Sequence, residues 1–274
     1  MTHTVSVLIP NHNYGQYLNK TIESVLEQTH SSIEVIVIDN GSTDNSRDIL
    51  ESYGKSIQTV FQDDLGQAQA RNYGLSRAQG NLIALLDADD YWEPTKIEKQ
   101  ITLFKSDYQF VYSGMRQFES ISNATVKVIE PYFKGDCRLA FLKHPSRSIV
   151  PGGESSAIFS RELVESVGKF DTTLNSASGR DFFRRCSAKT KFNFVSESLV
   201  HYRLHNSNMS KDSRLIMSDT NEAYRLLFED PEWLFAQPFR RKCLSELHWS
   251  FFKTCVKKRD FLGALPELIK TIKR

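Results

Sequence analysis

Asp87 and Asp89 stand two residues apart in Asp87-Ala88-Asp89, directly after the apolar run Leu82–Leu86. On extended backbone, side chains at i and i+2 point the same way. Two carboxylates on one side suit a hard divalent cation, Mn2+ or Mg2+, which keeps positions open for phosphate oxygens when so few protein ligands hold it. The competing reading is an acid-rich helix N-terminus, because Asp89 and Asp90 precede a helix expected at Pro94. The triplet alone does not choose between them.

Three other apolar runs end in the same way. Val5–Pro10 leads into Pro10-Asn11-His12-Asn13, Ile33–Ile38 into Asp39-Asn40-Gly41-Ser42, and Ile57–Phe61 into Asp63-Asp64-Leu65-Gly66. Asp and Gly are ordinary turn residues, so any one cluster has a bland explanation. Four on one edge of one sheet are harder to dismiss, because open parallel sheets bind ligands at the carboxyl ends of their strands.

The elements between these clusters supply that sheet. Tyr14, Leu18, Ile22, Val25 and Leu26 recur at helical spacing, a second helical stretch runs from Asp44 to about Tyr53, and Gly66–Ala78 is a third. Fully apolar strands alternating with single helices predict an α/β fold whose mostly parallel sheet is covered on both faces. After Trp92 the pattern loosens. A helix is expected from Pro94 to about Lys105, strands within 109–133, helices at about 160–167 and 180–190, and a strand at 193–202. The Pro/Gly/Ser-rich stretch 145–155 reads as a mobile substrate-covering loop. From about Arg214 onward the pattern is helical, with a break near Pro231.

Bulk properties narrow the classes. With 274 residues, 40% hydrophobic and 25% charged, the chain is neither fibrous nor disordered. The formal charge of +2 gives no basic field for nucleic acid. It hides an asymmetry, since residues 240–274 carry ten Lys/Arg against three Asp/Glu. Four cysteines without Cys-x-x-Cys spacing indicate neither a zinc site nor a disulfide framework, so a reduced, cytoplasmic compartment is expected. No signal-peptide pattern opens the chain, and no apolar stretch approaches the roughly 20 residues of a membrane span.

Five blocks carry a family resemblance: VSVLIPNHNYGQYL (5–18), IEVIVIDNGSTDNS (33–46), GQAQARNYGLSRAQGNLIALLDADDYWEPTKIEKQ (66–100), RELVESVGKFDTTL (161–174) and YRLHNSNMS (202–210). In this order, over roughly residues 3–210, they resemble family 2 glycosyltransferases of the GT-A fold. The resemblance implies a Rossmann-like GT-A domain at 1–210, with a nucleotide-sugar half at about 1–92 and an acceptor half at about 93–210. Residues 211–274 form a helical C-terminal extension. It further implies transfer of a sugar from a nucleotide-diphosphate donor, typically a UDP-sugar, to a saccharide, glycolipid or glycoprotein hydroxyl, as in polysaccharide biosynthesis, with inversion and a Mn2+ or Mg2+ ion.

Residue by residue, the resemblance places the backbone of Pro10 and the side chain of Asn13 at the nucleoside pocket. Asp39 matches the base contact and Arg71 a second nucleotide contact. Asn11, Asn40, Gly41, Asp64 and Ala88 complete the nucleotide-binding set. Asp87 is the ribose- or phosphate-side carboxylate and shares the metal with Asp89, its direct ligand, while His205 returns to the phosphates or metal. Asp181 falls at the general base. In-line displacement fits these types, because a cation stabilises the leaving diphosphate and a carboxylate removes the hydroxyl proton.

Two departures stand out. Asp39-Asn40 replaces the family's paired acids, and Arg180 stands where the family has Glu before the base. Beside Asp181, a guanidinium would lower the carboxyl pKa and weaken a base; alternatively Arg180 points away and binds an anionic group. Two rival functions follow: a non-catalytic nucleotide-sugar-binding protein, or a sugar-nucleotide nucleotidyltransferase, whose Gly-rich phosphate loop is absent from Pro10–Tyr17. In the tail, Leu244, Leu247, Phe251 and Cys255 form an apolar stripe beside basic residues. That pattern fits a helix lying on the inner face of a membrane, and equally a helix packed on its own domain.

Overall fold

The computed structural model describes residues 3–206, 208 and 212–272. Its first half alternates β1 (Val5–Asn11), α1 (Gly15–Leu26), β2 (Ile33–Asn40), α2 (Ser46–Ser52), β3 (Gln58–Gln62), α3 (Gln67–Arg77) and β4 (Leu82–Leu85). β1 pairs in parallel with β2 and with β4, and β2 with β3. The apolar runs of β1, β2 and β4 are continuous because each of these strands feeds two cores. Leu8, Ile36, Ile38, Ile83 and Leu85 enter one. Val7, Ile9, Val35, Val37 and Ala84 enter the other, with Leu18, Ile22 and Val25 of α1. Successive strand residues point to opposite faces, so only a sheet covered on both sides can bury such runs.

The second half comprises β5 (Tyr91–Trp92), α4 (Lys96–Ile101), β6 (Phe110–Glu119), β7 (Thr125–Ile129), α5 (Arg138–Lys143), β8 (Ile158–Ser160), α6 (Arg161–Val167), α7 (Ser178–Lys189) and β9 (Phe192–Leu204). Among the described residues the strand order is β3-β2-β1-β4-β8-β6-β9-β5, with β7 on β6. β8 runs antiparallel to β4 and β6, whereas β6 and β9 are parallel. β8 is too short to have a readable period, yet it joins the two halves of the sheet. It ends at Ser160, whose hydroxyl caps α6 by accepting from the Leu163 amide.

Stretch 145–155 is not the free cover expected from its composition. Ile149 and Val150 are buried, and so are Ser155 and Ser156 just after the loop's tip. Two apolar residues anchor this Gly-rich segment to the core. α4 is likewise shorter than expected, ending at Ile101.

The C-terminal helices are α8 (Ser213–Glu229), a 3-10 segment (Pro231–Phe239), α9 (Arg240–Lys257) and α10 (Phe261–Ile272). Asp212 caps α8 through the Arg214 and Leu215 amides. Tyr224, Leu227, Trp233, Leu244, Leu247 and Phe251 share one core with Phe110, Tyr112 and Phe182 of the sheet and α7. The stripe Leu244, Leu247, Phe251 and Cys255 is therefore buried against the rest of the chain. The division expected between 210 and 211 falls outside the described residues. Among those described, no helix is long and apolar enough to cross a membrane.

Candidate active site

The loops after β1, β2 and β3 are stitched into one rim. Asn11 Nδ2 donates to Asp39 Oδ1 at 2.7 Å, and Ser42 Oγ donates to the same oxygen at 2.5 Å. Asn40 Nδ2 donates to Asp64 Oδ1 at 2.7 Å. Asn13, with a left-handed φ of 59°, accepts from the Thr43 amide at 2.7 Å. Gly41 permits the closest approach: its φ is +74°, and a Cβ there would lie 2.8 Å from the Asp64 amide nitrogen. Pro10, Asn11, Asn13, Asp39, Asn40, Gly41 and Asp64 are thus brought together. Among the described residues Asn11 Oδ1 is buried without a hydrogen-bond partner beside the Asp39 carboxylate. The rim therefore has two acceptor groups side by side.

Asp87-Ala88-Asp89 is not extended. The Asp90 amide donates to the Asp87 carbonyl at 3.0 Å, so the segment is a turn, and the two carboxylates take different protein partners. This corrects the i, i+2 reading, which held only for strand backbone. Asp87 Oδ1 accepts from Arg71 Nη2 at 3.1 Å and from Gln67 at 3.4 Å. Asp89 Oδ2 meets His205 Nε2 at 2.8 Å and accepts from Asn208 at 3.2 Å. Ala88 is buried, and its carbonyl accepts from Thr21 Oγ1. A third carboxylate, Asp90, accepts from the Arg203 amide at 3.0 Å and from Ser155 Oγ at 2.8 Å, which ties β9 and the 145–155 loop to the turn.

Charge is concentrated here. Burial, reinforced by Glu154 and Asp89 and opposed by Arg71, pushes the Asp87 carboxyl up to about 6. Burial and the other two carboxylates also hold Asp90 well above the usual range. The Tyr14 phenol is raised by burial and by Asp89 and Asp87. Among the described residues no group of three or more His, Cys, Asp and Glu is arranged to hold a metal ion. Of the residues expected at the metal, Asp89 and His205 lie together and Asp87 lies on Arg71. The His205 ring is on Asp89, packed between Tyr14 and Tyr17 at centroid distances of 5.5 and 5.0 Å.

Arg71 lies beneath the turn, 2% exposed. Its Nη2 reaches Asp87, while Nη1 lies 2.7 Å from Glu154 Oε1 and donates to Ser178 Oγ at 3.3 Å. It is a buried bridge from the turn after β4 to Glu154 and the start of α7.

Asp181 lies elsewhere. It is 3% exposed, with Oδ1 accepting from Arg184 Nη2 at 2.8 Å and Oδ2 from Arg185 Nε at 2.8 Å. With Lys169, Asp171, Leu226, Glu229 and Asp230 these residues line a cleft of about 440 Å3 that includes none of the donor-edge residues. Arg180 turns away from Asp181 and donates to the carbonyls of Pro145 and Arg147. His201 accepts from Arg116 at Nδ1 and meets Glu93 at Nε2, a satisfied structural residue. Trp92 packs, donating to the Ser155 carbonyl.

Tyr14, Gln67, Glu154, Ser155 and Arg203 join the site without having been anticipated. None sits in an acidic or Gly-rich cluster at a strand end. Tyr14 was legible only as a helix-face aromatic, and Glu154 only as part of a loop.

An open, mostly parallel α/β sheet in this order has the Rossmann-like GT-A fold. Residues 6–168 match the glycosyl transferase family 2 profile, and the chain belongs to that family. An uncharacterized glycosyltransferase of Nostoc sp. is 33% identical over 215 residues, covering 74% of this chain and 66% of its own length. The chain spans less than two thirds of the length of the first of these curated relatives, between 46% and 66% for the Nostoc protein, TuaG of Bacillus subtilis and a Rickettsia typhi protein. S. aureus TarS, solved with UDP-GlcNAc, superposes with a TM-score of 0.66 at 14% identity, covering 95% of this chain and 89% of that one. A mannosyltransferase of Pyrobaculum calidifontis, solved with GDP-Man and Mn2+, gives 0.66 at 15% identity, covering 100% and 76%.

Proposed function

We propose that this protein transfers a sugar from a nucleoside-diphosphate donor, most simply a UDP-sugar, to the hydroxyl of a saccharide, glycolipid or glycoprotein acceptor. It does so with inversion and with the help of a divalent cation, in polysaccharide or glycan biosynthesis. The observation that carries this reading is the meeting of the Asn11–Asp39 pair and the Asp87–Asp90 turn along one sheet edge. In this reading residues 1–92 hold the donor and 93–210 the acceptor.

Asp39 accepts a hydrogen bond from the base, and the Asn11, Asn13 and Asn40 side chains keep the rim in shape. Asp87 and Asp89 fit a hard cation. Each uses one oxygen on protein partners and offers the other, and their crowded negative charge favours a bound cation. Two carboxylates plus donor phosphate oxygens are a usual set for Mg2+ or Mn2+. A cation held there neutralises charge on the departing diphosphate. The UDP-GlcNAc, GDP-Man and Mn2+ bound by the structural relatives support the donor class and the metal.

A thermal-shift panel of nucleotide sugars with and without Mn2+ tests this. At 100 times Kd a ligand adds about 2.7 kcal/mol, a shift read easily in Tm. One donor should stabilise the protein in a Mn2+-dependent way and release nucleoside diphosphate on turnover. Binding without turnover across all donors and acceptors would favour the non-catalytic reading.

The same proposal places the protein in the cytoplasm, touching the inner face of a membrane through α9. Trp249 stacks on Phe252 at 5.0 Å, and Val256 is exposed beside the surface residues Lys253 and Lys257. Aromatic and cationic residues on one helix face suit an anionic lipid surface. Co-sedimentation with phosphatidylglycerol vesicles should be lost in K253E/K257E; equal, negligible binding of both proteins would dispose of it.

A further inference from the structure

Inverting transfer needs a proton acceptor on the far side of the sugar carbon from the leaving diphosphate. Asp87 and Asp89 occupy the leaving-group side in the reading above. Both oxygens of Asp90 accept hydrogen bonds from Arg203 and Ser155. Both oxygens of Asp181 are held by guanidinium groups. Glu154 differs. It lies one guanidinium away from Asp87, across Arg71, with Oε1 2.7 Å from Nη1. Among the described residues its Oε2 has no hydrogen-bond or ion-pair partner, and the side chain keeps 16% of its exposure.

The fold makes room for this carboxylate. A Cβ on Gly179, in the first turn of α7, would lie 1.9 Å from Glu154 Oε1 and 2.9 Å from Oε2. No side chain larger than hydrogen fits there while Glu154 keeps its place. Ser155, the next residue, binds both the Asp87 amide and the Asp90 carboxylate, so Glu154 is keyed to the acidic turn through its own chain neighbour.

We propose that Glu154, rather than Asp181, takes the proton of the attacking acceptor hydroxyl, an inference that rests on the transferase reading above. In the step, the hydroxyl proton passes to Glu154 Oε2 as the oxygen's electron pair forms the bond to the anomeric carbon. The bond from that carbon to the β-phosphate oxygen breaks, and its electron pair leaves on the nucleoside diphosphate. Glu154 returns the proton to solvent. Arg71 fixes the carboxylate through Oε1 and leaves Oε2 to accept.

The test measures nucleoside-diphosphate release from the donor identified by thermal shift, in wild type, E154Q, E154A, D181N and G179A. E154Q retains an oxygen for Arg71, so its fold and nucleotide-induced thermal shift should match wild type. Its kcat should fall by about 100-fold or more with little change in donor KM, the usual size of a lost general base. E154A should regain part of its rate on addition of sodium formate, a rescue that a purely structural role would not give. G179A should lose rate with E154Q and add little to it when combined. D181N, compared per folded molecule, should keep most of its rate. An E154Q enzyme with more than a tenth of wild-type rate, or absence of formate rescue together with an inactive folded D181N, overturns the assignment to Glu154. Wild type that binds nucleotide and releases no product from any donor overturns the transferase reading itself, and the role of Glu154 with it.

Discussion

Asp89 and His205 meet at 2.8 Å although 116 residues separate them, so the loop beyond β9 closes onto the turn after β4. This contact is where the late part of the chain reaches the donor edge. D89N should abolish the Mn2+-dependent part of the nucleotide-induced thermal shift while leaving the apo Tm within a few degrees. H205A should weaken the shift without removing it, because Asp89 keeps Asn208 as a partner. An unchanged Mn2+ response in D89N would show that the cation binds elsewhere.

Asp181 and the two arginines that follow on α7 make a buried network that continues from Arg184 to Asp230 at 2.6 Å and from Arg185 to the carbonyls of Val167 and Lys169. Removing one partner of a buried pair leaves an uncompensated charge, worth about 3–5 kcal/mol. For a chain of this size that is a fall in Tm on the order of 10 °C. D181N should show that loss in differential scanning calorimetry. An unaltered Tm would mean that the network does not stabilise the fold.

These two sites show what the sequence could and could not convey. The rim was legible because its residues sit at strand ends, where topology alone brings Asp39, Asn40 and Asp64 together. The Asp87–Asp89 geometry was not, since a turn closed by the Asp90 amide cannot be told from a strand end by spacing. The partners of Asp181 were hidden for a similar reason. Which way a first-turn acid points is decided by its partners three and four residues on, here Arg184 and Arg185. Glu154 was invisible because its meaning depends on Arg71 and Gly179, distant in sequence. The tail stripe left two readings open, and the packing partners Tyr224 and Trp233 chose burial.

His201 gives stability a pH dependence. Arg116 Nε donates to its Nδ1 at 3.0 Å, so Nε2 carries the proton toward Glu93 at 2.6 Å. Tyr91 stacks on the ring at 4.3 Å, and Lys20 adds positive charge nearby. Burial, helped by Arg116 and Lys20 and opposed by Glu93, lowers its pKa. The unfolded chain therefore binds the proton first, and stability is full above about 6.5 and declines as pH falls below it. Urea midpoints should drop between pH 7.5 and 5.5, and H201Q should flatten that part of the slope. A slope identical in the two proteins would place the titration on another group.

Lys96 carries the opposite kind of cost. It is fully buried, its Nζ has no hydrogen-bond partner among the described residues, and the Trp92 ring lies beside it, 3.9 Å from Nζ to the centroid. Burial alone drives its pKa well below the usual lysine value. The folded state therefore resists a proton that the unfolded chain keeps to about pH 10.4, and stability should rise with pH toward that value. A ring contact recovers about 2 kcal/mol for a desolvated cation, less than several kcal/mol for an isolated buried charge. K96M has similar volume and no polar atom, so it should add about 1–3 kcal/mol and raise Tm by several degrees at pH 7. The gain should shrink as the pH approaches 10, because wild type recovers what the substitution supplies. Calorimetry at pH 7 and pH 9.5 decides it: a destabilised K96M at both would mean that the ammonium is held charged over Trp92 and contributes to the fold.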